Sequence, residues 1–356
     1  MKRKKLVLAN GMEFGGTGFG SDENAVGEIV FNTSMVGYQE IISDPAYSGQ
    51  IVVMTYPLMG QYGITDDDYE SKNAGIAGFV TRDYCDTPSN FRFTKTLSEQ
   101  LEERAIPCLS GPDTRMITKL IREQGCMMAA IVDEDMDKEE ALKLIQDTKP
   151  QDIPAAEVSC TKRWFSRTPH HNFDVLVIDC GLKLSVVKEL NRLGCNVTIV
   201  PFDTGAEEIL AFNPDGILVC GGPGDPSKLS CIIKVVKSLR GELPIGGISL
   251  GHCIVALACG ARTFRLKTGH HGGHPVRETL TGRIITCEHN HNYAVDPASI
   301  SGTGLEISYT DMTDGTIEGL ECKADRISTL QFYPEGAPGP KESHYFEDFI
   351  KAMEEE

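Results

Sequence analysis

Short, unbroken apolar runs recur through the second half of the chain, each followed by a stretch of helical periodicity. Asp174-Val-Leu-Val-Ile178, Asn196-Val-Thr-Ile-Val200 and Gly216-Ile-Leu-Val219 predict buried strands. Helices are expected over 183–193, over 206–211 and in a segment ending near Arg240. All-apolar strands separated by helices imply a mainly parallel sheet covered on both faces. In such sheets, sites form beyond the carboxyl ends of the strands.

The first half reads differently. Leu6–Ala9, Gly27–Phe31 and Gln50–Thr55 predict strands among glycine-rich turns, with helices expected later over 96–104, 113–124 and 138–146. Asp135 and Asp137 stand ahead of the last as cap candidates. Strands first and helices afterwards suggest an α+β unit. The division expected is therefore 1–150 for the first domain, 151–172 for a proline-bearing linker without sustained periodicity, and 173–356 for the second domain.

Composition narrows the classes. The 356 residues suffice for two cores. A formal net charge of -17 argues against nucleic acid or an anionic membrane as main partner. No run approaches the ~18 apolar residues that span a bilayer. The apolar run after Lys2-Arg3-Lys4-Lys5 is too short for a secretory signal and reads as a first strand. Twelve cysteines without a C-x-x-C pair read as free thiols in a cytoplasmic protein, not as a disulfide framework or zinc site.

Chemistry concentrates at Pro244-Ile-Gly-Gly-Ile-Ser-Leu-Gly-His-Cys253, where an apolar run meets Ser249 between small residues. Gly247-Ile-Ser249-Leu-Gly251 has the G-x-S-x-G spacing of a nucleophile elbow, whose tight strand-to-helix turn presents one side chain. The following helix would aim its N–H groups at an anion forming above the turn. Gly221-Gly-Pro-Gly-Asp-Pro226 ends the preceding strand; it is a plain turn or an oxyanion-holding backbone. A serine nucleophile needs a base, and the base an orienting carboxylate. His252 lies three residues past Ser249; His270, His271 and His274 fall in an expected glycine-rich loop, and His289 and His291 in a strand-like segment. With no carboxylate or thiol at ligand spacing near His270-His271, no metal site is expected. In Thr329-Leu-Gln-Phe-Tyr333-Pro-Glu335, a glutamate stands two residues from a tyrosine. A phenol with a pKa near 10 is a poor acceptor for the nucleophile's proton.

Together these segments resemble the small-subunit family of carbamoyl-phosphate synthetases, which are class I (triad) glutamine amidotransferases. Its motifs in the first half are Gly27-Glu-Ile-Val-Phe-Asn-Thr-Ser-Met-Val-Gly-Tyr-Gln-Glu40, Asp44-Pro-Ala-Tyr-Ser-Gly-Gln50 and Asp113-Thr-Arg115. In the second half they are Gly222-Pro-Gly-Asp-Pro226, Gly269-His-His-Gly-Gly273 and Pro338-Gly-Pro340. The resemblance covers nearly the whole chain. It implies a small-subunit domain followed by an amidotransferase domain, and a large synthetase subunit as partner, which binds ATP and Mg; this chain itself would carry no cofactor. Glutamine contacts carry over to Ser48, Lys183, Gly222, Gly224, Leu250, Cys253, Asn290, Asn292 and Tyr293. The N–H groups of Gly222 and Leu250 would form the oxyanion hole.

Departures gather at that site. The family's nucleophilic cysteine is Ser249 and its histidine base is Tyr333, leaving Glu335 alone of the triad. Cys253 stands for a glutamine, Asn290-His-Asn292-Tyr293 for Asn-His-Gly-Phe, Gly221 for an asparagine, and the loop at Gly273-His274 lacks another. Loss of both nucleophile and base implies a fall on the order of 10⁶ in glutamine turnover. The expectation is a small subunit supporting carbamoyl phosphate synthesis, for arginine or pyrimidine production, from free ammonia. Two rivals are a non-catalytic scaffold and a serine hydrolase using Ser249 with a recruited histidine. Cys253 is read as pocket lining or core in preference to a displaced nucleophile.

Overall fold

The computed structural model describes residues 2–72, 75–149 and 152–354. It divides into two units, Met1–Gln151 and Asp152–Glu356.

The first unit contains strands β1 (Arg3–Leu8), β2 (Glu13–Gly20), β3 (Ala25–Asn32), β4 (Gln50–Met54), β5 (Leu58–Met59), β6 (Gly78–Thr81), β7 (Asp83–Tyr84), β8 (Pro107–Ser110) and β9 (Met127–Asp133). Among the described residues, β1-β2-β8-β6-β4-β3-β9 close into a barrel, and β5 pairs with β7 outside it. Helices α1 (Tyr38–Ser43), α2 (Leu97–Glu103), α3 (Thr114–Gln124) and α4 (Lys138–Asp147) lie between and after the strands. The barrel wall is apolar on both faces: Ile29, Ile51 and Val80 pack with Ile117 and Ile121 of α3, while Val30, Val52 and Phe79 pack with Leu97 and Leu101 of α2. Helix starts follow the polar punctuation. Thr96 and Glu99 form a reciprocal capping box on α2, and the Asp113 carboxylate accepts the Met116 N–H to open α3. Asp137 stands at the N-cap of α4 without a side-chain cap bond.

The second unit carries strands β10 (Trp164–Ser166), β11 (Phe173–Asp179), β12 (Cys195–Pro201), β13 (Gly216–Val219), β14 (Ile245–Ile248), β15 (Thr263–Glu278), β16 (Ile284–Val295), β17 (Glu306–Asp311), β18 (Ile317–Cys322) and β19 (Ile327–Leu330). They form a ten-stranded sheet in the order β10-β12-β11-β13-β14-β19-β18-β17-β15-β16. The run β12-β11-β13-β14-β19 is the parallel core that the apolar runs predict. Antiparallel strands extend it at both edges. Its helices are α5 (Ala155–Val158), α6 (Leu184–Arg192), α7 (Ala206–Leu210), α8 (Ser230–Leu239), α9 (Leu250–Ala258) and α10 (Tyr345–Glu354).

Two sequence expectations change. From Asp152 on, the stretch expected as a linker belongs to the second unit: α5 lies in it, and β10 pairs antiparallel with the edge of β12, Phe165 opposite Thr198. Three-residue strands leave no periodicity to read. The loop expected around His270 is the middle of β15, held by cross-strand pairing of His270 with His291 and His271 with Asn290. Gly269 at φ +64° and Gly272 at φ +94° take backbone conformations other residues resist, so the glycines shape the strand instead of ending it. The twelve cysteines are free thiols, as expected. Among the described residues, no helix is long and apolar enough to cross a membrane.

Candidate functional site

The elbow forms as the spacing of small residues predicts. β14 ends at Ile248, Ser249 adopts φ 55° and ψ -110°, and α9 begins at Leu250. Such a backbone is costly for a residue with a Cβ and persists only where its surroundings enforce it. Here the Ser249 N–H donates to the Leu330 carbonyl at 2.8 Å, tying the turn to the neighbouring parallel strand. A Cβ on Gly251 would lie 2.0 Å from the Val219 carbonyl oxygen, and one on Gly247 2.9 Å from the Gly251 backbone. Glycine is therefore obligatory on both sides of Ser249. The serine is 1 % exposed and its Oγ has no hydrogen-bond partner among the described residues.

Gly222 lies at the carboxyl end of β13, the next parallel strand, where a Cβ would fall 1.9 Å from the Cys180 carbonyl oxygen. Gly221 faces Ser249, its Cβ position 3.4 Å from the serine Cβ. Gly224, at φ +102°, backs onto Pro154. Leu250 is the first residue of α9, so its N–H belongs to the set that helix geometry leaves without an intrahelical acceptor. Gly222, Leu250 and Ser249 thus meet at the carboxyl edge of the parallel core. Ser48 follows a short 3₁₀ turn, Pro45–Tyr47, in the first unit.

Tyr333 and Glu335 lie just beyond β19, on the strand beside the elbow. The Tyr333 N–H donates to the Glu288 carbonyl at 2.9 Å, bridging to β16. Glu335 engages Lys183: the ammonium donates to its Oε1 at 2.7 Å, and also to the Ala337 carbonyl. Both side chains are buried, at 5 % and 0 % exposure. The same ammonium lies 3.9 Å from the centroid of the Tyr333 ring, a cation–π contact. Lys183, expected against glutamine, and Glu335, expected behind a base, are partners in one ion pair. Nothing in the spacing could reveal it, because the two residues stand 152 positions apart.

Cys253 is buried, its thiol donating to the Gln331 side-chain oxygen at 3.2 Å; burial pushes its pKa far up. It is a protonated thiol within the hydrophobic core of the second unit. His252 is fully buried, its Nδ1 2.9 Å from the Thr329 hydroxyl, and burial pulls it down to about 3. Asn290 and Asn292 flank one ring, with their side-chain oxygens 2.9 and 3.1 Å from Nδ1 and Nε2 of His271. Burial pulls His271 down to about 4, so the neutral ring has one N–H to donate to these oxygens. Asn292 also fills the space above Gly269, where a Cβ would lie 2.3 Å from its oxygen. Tyr293 offers its carbonyl to His291.

One premise changes: the histidines are not without carboxylate neighbours. Carboxylates do stand beside the histidines of β15: Glu318 comes from β18 and Asp311 from β17. His270, His289, His291 and Glu318 bring ligand atoms within 4.8 Å of one another, as do His270, His274 and Asp311. Strand pairing assembles the groups from distant segments, and local ligand spacing cannot report that. A glutamate in the otherwise apolar run Thr316-Ile-Glu-Gly-Leu320 is the one signal in the sequence.

The description "Carbamoyl-phosphate synthase small chain, CPSase domain" matches residues 6–131, and "Glutamine amidotransferase class-I" matches residues 176–353. The chain is 43% identical over 355 residues to the carbamoyl phosphate synthase small chain of Listeria innocua, covering 99% of this chain and 97% of that one. It is 44% identical over 358 residues to the carbamoyl phosphate synthase pyrimidine-specific small chain of Halalkalibacterium halodurans, again covering 99% and 97%. The small chain of Fusobacterium nucleatum matches at 42% over 357 residues, 99% of each chain.

Proposed function

The chain belongs to the carbamoyl-phosphate synthase small-chain family, and on that footing we propose that it serves such a synthase as its small chain without hydrolysing glutamine itself. Its large-chain partner would hold ATP and Mg and form carbamoyl phosphate from bicarbonate and free ammonia, for pyrimidine or arginine synthesis.

One observation carries the reading. The single acid left of the triad, Glu335, is closed on Lys183, and the group at the base position is a phenol with that lysine's ammonium against its ring. Attack on the glutamine amide needs the Ser249 hydroxyl to lose its proton to an adjacent base. A neutral phenol does not take it at pH 7. The strained elbow and the glycines beside it surround a hydroxyl with no hydrogen-bond partner among the described residues. Residual hydrolysis would then rest on the oxyanion donors alone.

The test is a glutaminase assay on the pure chain, alone and with a large chain, beside an ammonia-driven synthesis assay. The expected result is no glutamate release and intact synthesis from ammonia. Robust glutamate release that Ser249→Ala abolishes would overturn the reading. Failure of ammonia-driven synthesis with the large chain would favour a scaffold. Labelling of Ser249 by a fluorophosphonate would favour a serine hydrolase.

A further inference from the structure

We propose that the reverse face of the β15–β16 hairpin is a metal site, in which His270, His289, His291 and Glu318 hold one divalent transition-metal ion of the zinc type. Side chains alternate across a strand, and directly opposed residues share a face. His271, Asn290 and Asn292 occupy one face of the hairpin; His270, His289 and His291 occupy the other. Glu318 reaches that second face from β18. The proposed ion therefore lies on the face of the hairpin opposite Asn290 and Asn292 and does not rest on the reading of the catalytic centre.

Several of the distances are close to those of a tetrahedron. With bonds of about 2.0–2.1 Å, tetrahedral ligand atoms stand about 3.3–3.4 Å apart. His289 Nδ1 lies 3.3 Å from His291 Nε2 and 3.4 Å from Glu318 Oε2. His270 Nδ1 is 3.5 Å from Glu318 Oε1, and His291 Nε2 is 3.9 Å from Glu318 Oε2. All four residues are buried, and two of the converging atoms, His270 Nδ1 and Glu318 Oε2, have no hydrogen-bond partner among the described residues. A buried carboxylate oxygen and ring nitrogen left in that state are costly unless something binds between them.

For His270 and His291 an outer hydrogen bond fixes the inner lone pair, whereas the outer nitrogen of His289 has no hydrogen-bond partner among the described residues. Metal-bound imidazoles characteristically give their other N–H to a carboxylate or backbone carbonyl. His270 Nε2 lies 2.9 Å from the Asp314 carboxylate, leaving Nδ1 to face inward. His291 Nδ1 lies 2.9 Å from the Tyr293 carbonyl, leaving Nε2 inward. Glu318 Oε1 accepts from the Thr316 hydroxyl at 2.9 Å. The neighbouring group of His270, His274 and Asp311 offers three ligands and a more exposed His274, so the four-ligand set is favoured. Three imidazoles and one carboxylate close the coordination shell, as in a structural site.

The test uses the full chain after chelator treatment, titrated with Zn²⁺ and, separately, with Co²⁺. Expected are one tightly bound equivalent and the intense visible bands of tetrahedral Co²⁺ without a thiolate charge-transfer band. His289→Gln and Glu318→Gln should each weaken Zn²⁺ binding by more than about 100-fold, beyond the cost of losing an outer hydrogen-bond partner. Unchanged metal-free melting would show that these variants remain folded. Should they unfold, zinc-edge X-ray absorption on the wild-type chain decides: nitrogen and oxygen neighbours without sulfur support the site. Wild-type binding no tighter than that of folded His289→Gln, or sulfur ligation, would overturn it and leave an imidazolium–carboxylate network in its place.

Discussion

At the residue scale, Lys183 and Glu335 form one buried ion pair beside the Tyr333 ring. Removing one partner strands a buried charge, which costs about 3–5 kcal/mol; removing both with apolar groups of similar size costs much less. Glu335→Gln is therefore expected to lower urea-unfolding stability by about 3 kcal/mol or more. Lys183→Met combined with Glu335→Leu should fall well short of the sum of the single losses. Additive losses would show that the pair is not coupled. The same site supports a gain-of-chemistry experiment. Ser249→Cys places a thiol at the start of α9 without a base, and iodoacetamide should alkylate it slowly. Adding Tyr333→His should raise that rate on the order of 10²-fold, the lower end of what a positioned base contributes. Equal rates in the two variants would mean that position 333 no longer addresses position 249.

At the element scale, the elbow depends on absent side chains. In Gly251→Ala the added methyl meets the Val219 carbonyl at 2.0 Å, and backbone cannot move aside as a flexible side chain can. A loss above about 3 kcal/mol is expected, at the severe end for single substitutions. Gly205 is the control: its φ is -77° and a Cβ there meets nothing within 4 Å. Gly205→Ala should change melting by less than about 1 kcal/mol. These elements were also the legible ones. Gly216–Val219 reads as a strand because a strand buried on both faces has no polar positions to obscure it, and α2 announces itself through Thr96 and Glu99. Of the hairpin only the second strand was legible, through its strand-like segment around His289 and His291; the first was not, since glycines at 269, 272 and 273 carry turn chemistry locally while the pairing that makes them a strand comes from residues 284–295. Lys183 with Glu335, and Glu318 with three histidines, are products of register between distant strands, and nothing local encodes them.

At the scale of the whole molecule, the buried histidines make folding stability depend on pH. His252, a residue of α9, packs against Thr329 of β19, fully buried, with its folded pKa drawn down to about 3; His271 is drawn down to about 4. In the unfolded chain each titrates near 6.5. Between these values the unfolded state holds the proton and the folded state does not, so stability rises with pH across the window and is lost as pH falls from 6.5. The slope is about 1.4 kcal/mol per pH unit for each such histidine. The many exposed carboxylates behind the net charge of -17 titrate mostly nearer 4, so the interval from pH 7 to 5 isolates the histidines. Over it, His252 alone should account for about 2 kcal/mol of lost stability. His252→Asn can keep a hydrogen bond to Thr329 but has no proton to take up at these pH values. Urea unfolding at pH 7 and pH 5 should therefore show a drop smaller by about 2 kcal/mol in the variant than in the wild type. The same drop in both would mean that His252 takes up its proton in the folded chain as readily as in the unfolded one, and that the sheet beneath α9 admits a charge.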